Sequence, residues 1–232
     1  MLNQLPLKIR LDAELSLANF WFRPVLAELQ AEIEALARQP TAHLFLWGSS
    51  GVGKSHLLQG ISERLGADSR YLPMSDLLDY APEAVLDGVE DASALLVDDA
   101  HLLTGNSAWQ EALFHRFNQL RERGVAQIVS ASAPPARLDD ILPDLRSRWG
   151  GMTVYQLPPH DDEALAKLLQ FRAQRRGLTF SDEVVAYIMA RSTRNARDLM
   201  ALLDSLDEAS LARGRAITVP LLAELRLWSR DR

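Results

Sequence analysis

The sequence predicts an α/β domain, with a parallel sheet flanked by helices, followed by a helical domain. Three observations carry that prediction. Up to about residue 155, short apolar runs closed by Gly or Asp alternate with stretches of helical periodicity. One of those runs opens into a glycine-rich turn followed by a helix. Beyond Pro158 and Pro159 no strand pattern is evident, and acidic helix starts take over.

Residues 43–48 run His, Leu, Phe, Leu, Trp, Gly, as a buried strand would. Over 54–65, Leu57, Leu58, Ile61 and Leu65 repeat at helical spacing. Residues 94–97 are a second buried-strand candidate, closed by Asp98 and Asp99. Between 107 and 123, Trp109, Leu113, Phe117 and Leu120 recur at intervals of four, four and three, one face of an amphipathic helix. Residues 126–130 and 152–155 read as a third and a fourth strand. Asp161, Asp162 and Glu163 open one later helix, and Ser181 with Asp182 and Glu183 caps another. Two more helices are predicted, over 196–213 and 220–228; Gly214 ends the first and Pro220 starts the second.

Composition narrows the class. The 232 residues are 47% hydrophobic and 24% charged, which excludes disorder. No apolar run approaches the roughly 18 residues of a membrane span, and no signal peptide is visible, so the expectation is a cytoplasmic protein without membrane partners. The absence of cysteine excludes disulfides, thiolate chemistry and cysteine–zinc sites, and the five histidines lack ligand spacing. Residues 1–155 carry a net charge of −7 and residues 156–232 a net +1, so neither part is a polybasic nucleic-acid arm. Only three of the 25 basic residues are lysine, which leaves Lys54 nearly alone.

Gly48, Ser49, Ser50, Gly51, Val52, Gly53, Lys54 and Ser55 match the phosphate-binding P-loop pattern, G-x-x-x-x-G-K-[ST]. Four fixed positions arise by chance in roughly one chain in a hundred of this length. Glycines let successive backbone N–H groups face one anion, and the helix after them adds its positive dipole end. Lys54 is placed to bridge the β- and γ-phosphates and the Ser55 hydroxyl to ligate Mg²⁺. Such a loop needs an acid at the end of a neighbouring strand. Asp98 is the candidate on the metal side, and Asp99 the candidate for polarising an attacking water.

These stretches are similar to a known family. Residues 46–58, 94–103, 128–135, 142–149 and 195–199 resemble the AAA+ core of the bacterial replication initiator DnaA, and the likeness runs over roughly residues 10–228. The initiator's N-terminal domain and its C-terminal helix-turn-helix have no counterpart, so sequence-specific DNA binding is not expected. An AAA+ module of this kind, preceded by Gln4, Leu5, Pro6 and Leu7, resembles the regulatory members of the DnaA/Hda family. That resemblance implies a clamp-binding segment at 1–10, an AAA+ α/β nucleotide-binding domain at 11–157 and a helical lid at 158–232.

The resemblance also implies roles. The nucleotide, ADP or ATP with Mg²⁺, would be held by Ser50, Gly51, Val52, Gly53, Lys54, Ser55 and His56. Phe20 and Trp21 would frame the adenine, Ser132 would sense the γ-phosphate, and Arg197 would contact the nucleotide from the lid. Ser132 stands where the initiator usually has Asp, which points away from rapid turnover by this chain. Arg148, in the run Arg146, Ser147, Arg148, Trp149, matches the arginine finger that reaches into a neighbouring subunit's site. Gln4–Leu7 resembles, in a shortened form, the peptide that docks on the DNA polymerase III sliding clamp (beta subunit). The implied function is negative regulation of replication initiation: with the DNA-loaded clamp, Arg148 promotes hydrolysis of ATP held by DnaA. The chain's own ATPase would be weak or nil. An autonomous AAA+ ATPase, such as a helicase-loader-like motor, is the alternative, and association with further copies of itself is left open.

Overall fold

A computed structural model describes residues 12–36, 38 and 41–225. Gln4–Leu7, the predicted clamp-binding segment, lies outside them. The chain divides into two compact units, 1–158 and 159–232.

The first unit is built on five parallel strands: β1 (His43–Trp47), β2 (Ser69–Pro73), β3 (Ala94–Asp98), β4 (Ala126–Ala131) and β5 (Thr153–Gln156). Their order is β2-β3-β4-β1-β5, all parallel, with Leu44 opposite both Ile128 and Thr153. Side chains alternate between faces, so each strand feeds two apolar layers. On one face Leu44, Leu46, Leu96 and Ile128 meet Leu29 and Ile33 of α1 (Ala27–Leu36) and Leu57 and Ile61 of α2 (Lys54–Leu65). On the other, Phe45, Val97 and Val129 meet Trp109, Leu113 and Phe117 of α5 (Ser107–Glu122), and Leu145 and Trp149 of α6 (Pro143–Gly150). Burial on both faces is why β3 runs apolar without alternation up to Asp98, and β4, also buried throughout, carries Gln127 and Ser130 among its apolar residues. Two short helices, α3 (Met74–Leu77) and α4 (Pro82–Val85), link β2 to β3.

The strands expected at 43–48, 94–97, 126–130 and 152–155 are present, the last beginning one residue later. Sequence periodicity did not give β2 or α1. Strand β2 is at the sheet's edge and mixes Ser69 and Arg70 with apolar residues, so it lacks a continuous apolar run. Helix α1 continues from a 3-10 turn opened by Pro24 and lacks a Ser, Thr, Asp or Asn cap to announce it.

The second unit packs α7 (Asp162–Arg175), α8 (Asp182–Met189), α9 (Ala196–Arg213) and α10 (Val219–Leu225) around Leu169, Ile188, Leu203, Leu206 and Leu222. Its caps follow the sequence. Asp161, Ser181 and Asn195 each accept a backbone N–H at a helix start, and Gly214 ends α9 in the left-handed region at φ 60°. Among the described residues no helix is long and apolar enough to cross a membrane.

Candidate functional site

The site is built where β1, β3 and β4 end. The chain leaves β1 at Trp47, and Gly48 follows with its N–H bonded to the Ala131 carbonyl of β4 at 3.2 Å. A Cβ on Gly48 would lie 2.5 Å from the Leu157 carbonyl oxygen, so backbone packing admits only glycine there. Gly53 carries φ 99°, and a Cβ on it would meet the Phe20 ring at 2.9 Å. Helix α2 starts at the next residue, so the loop delivers its N–H groups to the positive end of a twelve-residue helix.

Lys54 is buried, and its Nζ donates to the carbonyl oxygens of Gly48 at 2.9 Å and Ser49 at 3.1 Å. The ammonium therefore curls back over its own loop, at the place where the motif brings phosphate oxygens. Val52 is buried; Ser50 and Gly51 are exposed, and Ser55 and His56 are half-buried on the first turn of α2. The His56 Nε2 is bonded to the Ser16 carbonyl at 2.9 Å.

Opposite the loop lies the acid pair. Asp98 is 3% exposed and has three donors: the Ser130 hydroxyl and the Asp99 N–H (3.1 Å) on Oδ1, and the Tyr71 hydroxyl (2.7 Å) on Oδ2. The Asp99 N–H also lies 2.9 Å from Ser130 Oγ. Asp99 is the one non-glycine residue with positive φ, 54°, among those described. A left-handed aspartate costs backbone energy, and such conformations gather at functional sites. Burial and the neighbouring Asp98 charge push the Asp99 carboxyl up, while Lys54 and His101 oppose the shift. His101 Nδ1 is 3.9 Å from Asp99 Oδ1, and burial pulls its imidazole down.

The donor set fits Mg²⁺. The Ser55 hydroxyl and the Asp98 carboxylate offer oxygen alone, the donor type that Mg²⁺ takes from protein beside phosphate and water.

The remaining candidates lie outside the loop and the acid pair. Phe20 is buried, its ring 4.7 Å from Phe22 and 5.3 Å from His56, and Trp21 beside it is half-buried. Ser132 is exposed, just past the end of β4; the β4 serine that bonds the acids is Ser130. Arg148 is exposed on the last turn of α6, its guanidinium 6.0 Å from the Phe114 ring, while Leu145 and Trp149 bury the helix's other face. Arg197 is exposed on the first turn of α9 in the second unit, where Asn195 Oδ1 accepts its N–H at 2.8 Å. Sequence reasoning missed Tyr71 and Ser130. A hydroxyl side chain within each strand flanking β3 was the available signal.

A glycine-rich loop between β1 and α2, faced by two acids at the end of β3 in a β2-β3-β4-β1-β5 sheet, defines a P-loop AAA+ core followed by a helical lid. The bacterial DnaA ATPase domain model matches residues 26–155, more than half of the chain, and the Hda lid domain model matches residues 161–225. The chain belongs to the DnaA/Hda family. Among solved structures, domain III of the Thermotoga maritima replication initiation protein DnaA shares 24% identity at a TM-score of 0.75, covering 91% of this chain and 95% of that one. AMPPCP-bound DnaA from Aquifex aeolicus shares 23% at 0.73, over 84% of this chain and 66% of that one. The Thermotoga maritima RuvB Holliday junction branch migration motor shares 21% at 0.64, over 86% and 66%. At these identities the three likenesses concern the fold.

Proposed function

We propose that this chain is a nucleotide-binding regulator of DnaA, with its nucleotide site at residues 50–56 and an arginine finger at Arg148. The arrangement of Lys54 supports the first part. A buried ammonium between two carbonyls of its own loop is poised to exchange them for phosphate oxygens, which return a charge-assisted bond for each one lost. The Ser55 hydroxyl and Asp98 would hold Mg²⁺, which screens phosphate charge when bound. AMPPCP in the DnaA relative is consistent with this use of the fold. The nucleotide is ADP or ATP, and the family resemblance assigns Phe20 and Trp21 to the base and Arg197 to a nucleotide contact.

Arg148 carries the regulatory part. It is exposed, on a helix whose other face is anchored in the core, so its guanidinium is free to meet a second protein. Presented to ATP on DnaA, it would stabilise charge that develops on the transferring phosphoryl group. Gln4, Leu5, Pro6 and Leu7 would dock on the sliding clamp and place the chain beside its target. The test is hydrolysis of DnaA-bound ATP with this protein added, with and without DNA-loaded clamp. Stimulation that requires the clamp supports the reading, and a rate unchanged by the protein rejects it.

A second reading is an autonomous ATPase. The observation favouring it is the acid pair itself, with Asp99 held in the left-handed region and its Oδ1 3.9 Å from His101 Nδ1. Turnover of ATP by the isolated chain, abolished by Asp99→Asn, would favour it.

A further inference from the structure

We propose that Tyr71 and Ser130 are positioning residues for the metal-side acid, fixing the orientation in which Asp98 would meet Mg²⁺. The proposal rests on the nucleotide-site reading above and extends it to two residues outside the motifs.

The argument starts from counting lone pairs. An ionised carboxylate offers about four acceptor positions. On Asp98, Oδ1 takes the Ser130 hydroxyl and the Asp99 N–H, and Oδ2 takes the Tyr71 hydroxyl. About one acceptor position remains, on Oδ2. A carboxylate so occupied has no freedom to turn and offer both oxygens to a cation. It keeps a single position, in a fixed direction, for whatever the bound cation would present.

Strand order makes this clamp. The register that sets Tyr71 opposite Leu96 puts Asp98 two residues further along β3, within diagonal reach of a tyrosine side chain. The register that sets Val97 opposite Val129 puts Ser130 beside Asp98. Each flanking strand thus supplies one hydroxyl. Tyr71 is itself fixed from behind: Gln59 Nε2 donates to its hydroxyl at 3.3 Å, and Gln59 Oε1 accepts the Asp12 N–H at 3.1 Å. Only 8% of Tyr71 is exposed, so its ring packs whether or not the hydroxyl is present. Partners that orient a metal-holding group are typically worth 10–100-fold in metal affinity.

The test compares ADP affinity by calorimetry in Mg²⁺ and in chelator, for the wild type, Tyr71→Phe and Ser130→Ala. The quantity read is the factor by which Mg²⁺ tightens ADP. In Tyr71→Phe this factor should fall by about 10-fold or more, with affinity in chelator and the thermal midpoint unchanged. Ser130→Ala should act in the same direction, and a melt on each variant establishes which of them reports on a folded chain. A folded variant that keeps the wild-type factor overturns the proposal. A variant that weakens ADP equally with and without Mg²⁺ also overturns it, since that is loss of structure and not of metal positioning. Failure of the wild type to bind ADP would instead reject the nucleotide-site reading.

Discussion

Three side chains with different surroundings yield three separable outcomes. Lys54 is the lone cation of the phosphate loop, and Lys54→Ala should abolish ADP binding in calorimetry while the protein still melts cooperatively. Arg148 lies away from that loop on α6, so Arg148→Ala should keep ADP affinity and thermal stability. Its loss should appear in hydrolysis of DnaA-bound ATP, by about 10³–10⁵, the range for arginine fingers supplied in trans. Arg148→Lys should rescue little, because an ammonium lacks the planar fork that spans two phosphate oxygens. Asp99 shows its environment through pH. Its carboxyl titrates above the ordinary aspartate value of 3.8, so the folded state holds the proton more tightly than the unfolded chain does. Ionised Asp99 therefore destabilises the fold at neutral pH, and that penalty fades as pH falls through the raised value. Asp99→Asn, which also tolerates the left-handed backbone, should raise the melting temperature at pH 7. The advantage should close below about pH 4, and an advantage independent of pH would show that charge is not its cause.

Helix α2 works at both ends of the site. Its first turn closes the phosphate loop, and His56 of that turn and Gln59 of the next seat the 3-10 turns at residues 13–19 through the Ser16 carbonyl and the Asp12 N–H. Gly60 lies on that face, where a Cβ would stand 2.7 Å from the Leu17 nitrogen. Gly60→Ala gains about 1 kcal/mol of helix propensity, yet the obstacle is backbone and cannot rotate aside. The expected net result is a loss of about 1–3 kcal/mol in urea unfolding, with faster amide exchange at 15–19; a more stable variant would show that the turns can shift at little cost. The same elements show what the sequence could reveal. The phosphate loop, α2, α5 and four strands were legible because each is announced locally, by a motif or by periodicity. The clamp on Asp98 was not, because Tyr71 and Ser130 lie 27 and 32 residues away from it in sequence. Only the strand order unites them, and no local pattern encodes strand order.

At the scale of the molecule, each unit has its own apolar core, and among the described residues the buried core of the first begins at Phe20. Residues 1–7 precede that core in sequence, and their removal should leave the melting temperature and ADP affinity as they are while ending capture of the sliding clamp. Clamp binding at wild-type strength by the truncated chain would place that contact elsewhere. The sheet order has a further consequence, in the time a ribosome takes to make the protein. Strand β1, which launches the phosphate loop, pairs with β4 and β5, whose first residues are Ala126 and Thr153. While β2 and β3 emerge and join each other, β1 has neither neighbour, and its apolar residues wait through the synthesis of most of the first unit. The nucleotide site is thus among the last parts to close in a nascent chain, since β1 has no neighbouring strand between the emergence of Trp47 and that of Ala131.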